Sequence, residues 1–181
     1  MFSRRRVLVC ETPELHWGEA MQAYIEAEIA RSRWIYRVLD GIQEAEKVVF
    51  SNDDYMIIPD RDAMNDNRVL NWMVIFKDRG LRSVRDLRGG HAPMLREVQQ
   101  KLKEMLPHRD FMTYFHKPAS VWQLHLHVAA PCDCIRTTND SQKVLFLEDC
   151  LSCMEVDADF FKKVTMTYMV NSRHPVAQLL G

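Results

Sequence analysis

The run Val121-Trp-Gln-Leu-His-Leu-His-Val-Ala129 constrains the fold more than any other segment, because its residue character alternates with a period of two. On a strand, Trp122, Leu124, Leu126 and Val128 share one apolar face. Gln123, His125 and His127 occupy the other at i, i+2 and i+4. One face is predicted to build core and the other a site. A half-buried strand needs neighbouring strands and a layer to cover its apolar side, so the rest of the chain has to supply both.

It does so in a mixed order. From Glu19 to Asp40, Met21, Ile25, Ile29, Tyr36 and Leu39 recur at helical spacing, predicting one amphipathic helix that carries Trp34 and ends at Gly41. Lys47–Ser51 and Tyr55–Pro59 are short β-rich runs around Asn52-Asp53-Asp54 and predict a hairpin. Asn67 to Asp78, with Val69, Leu70, Met73 and Phe76, predicts a helix, as does Pro93 to Leu106, with Gly89-Gly90 between them. Phe111 to Phe115 predicts a strand before Val121–Ala129, Gln142 to Met154 a helix, and Val164 to Val170 a last strand. Strands joined partly by hairpins, with helices between them, give an α+β class with a mainly antiparallel sheet and flanking helices.

Composition narrows function mainly by exclusion. Lys+Arg number 24 and Asp+Glu 25, a formal net charge of −1, which argues against holding long nucleic acid by bulk phosphate neutralisation. Small charged ligands are left open. A chain of 181 residues buries about 70% of its unfolded surface, enough core to do without disulfides. The odd count of five cysteines fits reduced thiols. No apolar run approaches the ~20 residues that span a bilayer, so no membrane partner is expected. The expected compartment is cytoplasmic, with the nucleus as an alternative and mitochondria as another, since Met1-Phe-Ser-Arg-Arg-Arg6 is basic like a very short presequence. Residues 1–8 read as a basic tail and 9–181 as one domain.

The histidine strand admits three readings. His125-Leu-His127 on a strand can chelate zinc, but the run offers no adjacent carboxylate or thiolate as a third ligand, so no metal is expected there. The second is a solvated face that happens to hold histidines. The third is nucleophilic catalysis at phosphorus, in which a neutral imidazole attacks and its other ring nitrogen fixes the tautomer. Cys132, Cys134, Cys150 and Cys153 form two close pairs of zinc-type donors; simple packing of Cys150 and Cys153 on a helix is the competing reading.

His-φ-His-φ spacing resembles the histidine-triad hydrolases and transferases, and more of the chain is similar to one branch, the scavenger mRNA-decapping enzymes (m7GpppX diphosphatases). The resemblance runs from about Val9 to Leu180. It is carried jointly by Trp34-Ile-Tyr-Arg-Val-Leu-Asp40, Arg79-Gly-Leu-Arg-Ser-Val-Arg-Asp-Leu87, Ser120 to Val128 and His174-Pro-Val-Ala-Gln-Leu-Leu180. It implies a histidine-triad-like fold, no cofactor, and hydrolysis of short capped RNA fragments to 7-methylguanosine monophosphate through a covalent histidine intermediate. By position, His125 would be the nucleophile and His127 would contact phosphate. His116 matches a further family histidine, Ser120 a phosphate-side serine, and Lys117 joins them in the substrate-binding set. Trp34 would stack on the methylated base, Glu44 would accept from the guanine edge, and Asp60 would line the nucleoside pocket. Arg79, Arg82 and Arg85 would be structural.

The chain departs from that pattern in four places. Gln123 stands at the first triad position, where the family has histidine, and an amide supplies neither a proton nor a charge. Arg61 and Asp62 stand where an apolar residue and a lysine are expected; a cation beside a cationic base and a carboxylate in place of a phosphate-binding ammonium both disfavour the usual ligand. Val121 replaces a tyrosine. The family's N-terminal domain has no counterpart before Val9, so the chain reads as the histidine-triad half, expected as a homodimer. Two alternatives follow: a catalytically weakened cap- or nucleotide-binding subunit of an RNA-processing assembly, or a relaxed dinucleoside polyphosphate hydrolase.

Overall fold

The computed structural model describes residues 5–59, 70–131 and 144–179. Strand β1 (Arg6–Glu11) leads into α1 (Pro13–Trp17), α2 (Glu19–Arg31) and α3 (Arg33–Leu39), followed by β2 (Phe50–Ser51), β3 (Tyr55–Pro59) and β4 (Asn71–Phe76). Then come α4 (Ala92–Met105), β5 (Met112–His116), β6 (His125–Ala129), β7 (Val144–Phe146), α5 (Leu147–Val156), α6 (Phe160–Lys163), β8 (Met166–Asn171) and α7 (Pro175–Leu179). A six-stranded antiparallel sheet has the order β2-β3-β4-β6-β5-β7, and β1 pairs with β8 in a separate two-stranded sheet. This is the α+β class with flanking helices. Among the described residues, no helix is long and apolar enough to cross a membrane.

Several expectations on element type are met and several are corrected. The hairpin forms as predicted: Asn52 Oδ1 accepts from the backbone N–H groups of Asp54 (3.0 Å) and Tyr55 (2.9 Å), which closes the turn. The predicted helix over 67–78 is instead strand β4. The i, i+3, i+4 spacing of its apolar residues matches a helix, but Trp72-Met-Val-Ile-Phe76 is also a continuous apolar run, the signature of a central strand covered on both faces. The predicted helix from Gln142 to Met154 yields its first described residues to β7, because Val144-Leu-Phe146 pairs with the free side of β5, and α5 starts only at Leu147. The helix expected from Glu19 to Asp40 breaks at Ser32 (φ −91°, ψ 39°), which lets α3 turn onto the sheet. Strand β1 begins at Arg6, inside the segment read as a tail.

The two faces of the large sheet are built differently, and that difference positions the site. On one face, Tyr55, Ile57, Val74, Phe76, Leu126 and Val128 pack against Leu95, Val98 and Leu102 of α4 and Leu147, Leu151 and Met154 of α5. On the other, Ile35 and Val38 of α3 seat on Met56, Ile58, Met73 and Ile75. Each of these two fully buried α3 side chains contributes about 1.5–3 kcal/mol. The register continues that second face sideways, Met73 opposite His127 and Ile75 opposite His125, then Tyr114 opposite His127. The helical layer thus caps β3 and β4 with apolar residues, while β6 and β5 carry histidines on the same face.

Candidate active site

Strand β6 is shorter than the alternation suggests. It starts at His125, and Val121–Leu124 enters it as a loop. Leu124 is nevertheless fixed, its N–H donating to Leu81 O (2.7 Å) and its carbonyl accepting from Phe76 N–H (3.1 Å). Trp122 does not join the core beneath Leu124, Leu126 and Val128; it packs in a separate cluster with Val9, Met21, Ile25 and Tyr168. Gln123 likewise does not extend the histidine row. Its side chain is fully buried, and its Nε2 donates to Phe76 O (2.8 Å) and Asp78 O (3.0 Å) at the end of β4. The two lone amide donors of a glutamine match two main-chain carbonyls there, so the loop geometry wins over strand periodicity.

His125 is held by main chain. Its Nδ1 lies 2.7 Å from the carbonyl oxygen of Gln123, and a carbonyl only accepts, so Nδ1 carries the hydrogen. The Nε2 lone pair then faces outward from that anchor, 3.4 Å from Ser120 Oγ, whose hydroxyl donates to it. His127 lies on the same face, with ring centroids 5.1 Å from His125 and 4.3 Å from His116. Tyr114 stacks on His127 at 5.3 Å with 12° between the ring planes. His125 and His127 are only 6% and 8% exposed, which excludes the reading of a solvated strand face.

Burial sets the protonation of this cluster. His127 is pushed down to about 2, chiefly by desolvation, with the neighbouring His125 and His116 adding repulsion against a second charge. It is therefore neutral at any ordinary pH, and its Nε2 has no hydrogen-bond partner among the described residues. Lys117 follows His116 directly and shares a neighbouring pocket with it. It is half-buried beside His116, and desolvation lowers its pKa. A small pocket next to His125 is walled by Arg82, Ser83, His116, Ala119, Val121 and Gln123. Arg82 also lines a larger cleft of about 450 Å³ together with Arg33, Tyr36 and Arg79.

The structure brings together His116, Ser120, His125 and His127, with Lys117 bordering them and the backbone of Gln123 beneath. Trp34 stands on α3, half-buried, in the apolar cluster that also holds Val121 of the pocket wall. Glu44 follows α3 in a left-handed conformation (φ 59°), uncommon for a residue with a Cβ, and its carboxylate lies 3.3 Å from Lys47 Nζ. Asp60, Arg61 and Asp62 lie outside the described residues, as do Cys132 and Cys134. Cys150 is buried in the main core, its thiol pushed up to about 12 by burial with Cys153 and Asp149 nearby, so it is a poor thiolate donor. Sequence reasoning missed Tyr114 and Ser83. Tyr114 was detectable, since it lies two residues before His116 and so on the same strand face. Ser83 arrives by a tight 3₁₀ turn capped by Asp86, which no periodicity reveals.

Arg85 is structural, as expected, but as a buried centre and not a surface charge. At 1% exposure, its Nε meets Glu11 Oε1 at 2.9 Å and its Nη2 the Glu11 carbonyl at 2.6 Å. Its Nη1 reaches the carbonyls of Phe161 (3.0 Å) and Val164 (2.5 Å). Glu11 also takes His16 Nδ1 at 3.0 Å and the Tyr168 hydroxyl. Burial alone would raise the Glu11 pKa, but the hydrogen bonds from His16 and Tyr168, with the charges of His16 and Arg85, hold it below the usual carboxylate value.

A family model described as "Scavenger mRNA decapping enzyme C-term binding" matches residues 33–140, a span that contains Trp34, Glu44 and all the residues of the imidazole cluster. The m7GpppX diphosphatase of Rattus norvegicus is 28% identical over 171 residues, covering 87% of this chain and 50% of that protein. That of Schizosaccharomyces pombe is 26% identical over 196 residues, covering 98% of this chain and 62% of that protein. The chain spans about half the length of the first of these curated relatives. A solved structure titled "Hnt3 in complex with DNA and guanosine" aligns over 81% of the chain at 13% identity with a TM-score of 0.43.

Proposed function

The chain belongs to the scavenger mRNA decapping enzyme C-term binding family, and from that premise we propose that it hydrolyses the phosphoanhydride of short capped RNA fragments and cap dinucleotides through His125. The observation that carries the reading is the 2.7 Å hydrogen bond from His125 Nδ1–H to the Gln123 carbonyl, which fixes the tautomer whose Nε2 is nucleophilic. In the first step, the Nε2 lone pair attacks the phosphorus next to 7-methylguanosine. A phosphorus–nitrogen bond forms, the phosphorus–oxygen bond to the rest of the chain breaks, and a nucleoside diphosphate or its oligonucleotide leaves with that electron pair. Water then attacks the phosphoramidate, the phosphorus–nitrogen pair returns to Nε2, and 7-methylguanosine monophosphate is released.

Charge builds on the nonbridging oxygens during both steps, where positioned donors are commonly the largest catalytic contribution. Lys117 and the Ser120 hydroxyl supply the charge and the hydrogen bond. The neutral His127 acts as a dipole, not a cation, with His116 beside it. The arginine-lined cleft that shares Arg82 with the histidine pocket accepts the leaving polyphosphate. Trp34 stacks on the methylated base and Glu44 accepts from its edge.

Gln123 bears on which bonds are cleaved. Its amide hydrogens are committed to two main-chain carbonyls, so it delivers no proton to a leaving group. A nucleoside diphosphate is weakly basic and leaves with little such help, whereas an amine does not. Gln123 therefore favours phosphoanhydrides over phosphoramidates, and it is also the observation behind the second reading, a cap- or nucleotide-binding subunit with slow turnover.

The test is incubation with a methylated cap dinucleotide, diadenosine polyphosphate and unmethylated guanosine polyphosphate, with His125→Ala as control. Hydrolysis of the methylated cap is expected, with a loss of at least about a thousandfold in His125→Ala. Near-parent hydrolysis by His125→Ala would end the nucleophile assignment, and no cleavage of any substrate would make the binding reading the better one.

A further inference from the structure

We propose that His116, His125 and His127 form a three-histidine binding site for a divalent cation of the zinc class. One ring nitrogen from each lies within 4.8 Å of the others, with His116 on β5 and the other two on β6. The third ligand that the β6 sequence by itself does not offer is thus supplied by the neighbouring strand. Zinc takes imidazole nitrogens at about 2.0–2.1 Å in a tetrahedron, which puts them roughly 3.4 Å apart, so closing the set draws the nitrogens together by no more than about 1.4 Å.

The surroundings already do what an outer shell does. Histidine ligands are oriented by their second ring nitrogen donating to a carbonyl or carboxylate, and His125 Nδ1 donates in that way to Gln123 O. Tyr114 stacks on His127 and holds its plane. His127 is 8% exposed, and its Nε2 has no hydrogen-bond partner among the described residues. A buried polar atom without a partner is uncommon, and a metal ion satisfies it. His116 and His125 both border a pocket of about 10 Å³, the space of one water, which suits a fourth ligand. With only imidazoles converging, the donor set suits zinc, copper or nickel and not magnesium or calcium.

The coordination argument is independent of the proposed hydrolysis. Its consequence is not: if His125 Nε2 is the attacking atom, the same lone pair serves either the metal or phosphorus, so zinc inhibits reversibly.

The experiment titrates the metal-free full chain with Co²⁺ as a spectroscopic probe for zinc and then displaces it with Zn²⁺. Expected is one cobalt per chain, a visible band of tetrahedral type without thiolate absorption, and full displacement by zinc. His116→Ala and His127→Gln should each weaken binding by more than the roughly 10–100-fold that losing an outer-shell partner costs. Circular dichroism establishes that both variants fold, and His116→Ala alters the less buried ligand in case His127→Gln does not. No band at saturating cobalt, thiolate absorption, or unchanged affinity in a folded variant would overturn the site. A chain that binds cobalt through these histidines yet, when freed of metal, cleaves no nucleotide would leave the site standing and remove the hydrolase reading alone.

Discussion

Arg85→Met tests whether the buried guanidinium holds the β1–β8 sheet to the rest of the molecule. Methionine keeps most of the volume but removes the charge, leaving the buried Glu11 carboxylate to His16 and Tyr168 alone and taking the guanidinium donors from the carbonyls of Glu11, Phe161 and Val164. Breaking one side of a buried ion pair costs about 3–5 kcal/mol, because what remains is a desolvated charge. The individual hydrogen bonds are parts of that figure and are not added to it. Against a total of about 5–15 kcal/mol, this is about a fifth or more of the stability. At about 2–4 °C per kcal/mol for a chain of this size, the melting midpoint falls by about 6–20 °C. The assay is guanidinium denaturation followed by circular dichroism, beside Arg85→Met/Glu11→Gln. The double variant should recover part of the loss, since the buried carboxylate that has lost its guanidinium is gone. A single-variant loss under about 1 kcal/mol, or a double variant less stable than the single, would refute the account.

Two further outcomes follow from the site. His127 has an ordinary value of 6.5 and is pushed down to about 2, so the unfolded chain binds a proton that the folded chain refuses across that interval. Stability contributed by the neutral ring is complete above pH 6.5 and is lost as pH falls towards 2, at up to about 1.4 kcal/mol per pH unit. Denaturation midpoints across acid pH should fall less steeply in His127→Gln, and an equal slope would contradict the assignment. Trp34→Ala should reduce the preference for methylated over unmethylated guanosine monophosphate by about 1–2 kcal/mol, measured by calorimetry; the same preference in both proteins would remove the stacking role.

How much of this was legible in the sequence depends on the range of the signal. Helix α4, the hairpin and β5 read correctly because local periodicity and turn chemistry decide them. Strand β4 did not, since a run buried on both faces loses the alternation that marks a strand, and its Leu70, Met73 and Phe76 satisfy a helical template equally well. His125 and His127 were legible through alternation along β6, whereas His116 was reached through the family resemblance and lies one residue beyond the strand expected over 111–115. Gln123 was not: its residue type continues the pattern, but the strand begins two residues later, and only the tertiary neighbours at Phe76 and Asp78 show where the side chain goes. The buried state of Arg85 was likewise out of reach, because its partners Glu11, Phe161 and Val164 lie 74 to 79 residues away in sequence.

Gln123 also separates two roles that a triad position can combine. The group that sets the tautomer of His125 is its main-chain carbonyl, and a carbonyl is present whatever the side chain. The acceptor that orients His125 is therefore present with a histidine or a glutamine at this position, and under the proposed reading the substitution removes proton delivery. The Gln123 side chain spends its two donors on β4 carbonyls, which fixes the loop that presents that carbonyl. His125 is thus held by backbone at both ends, in β6 and through the loop to β4. Under the proposed reading, a site of this form attacks phosphorus without a first-position histidine and depends on the substrate for its leaving group, which is the property that a phosphoanhydride supplies.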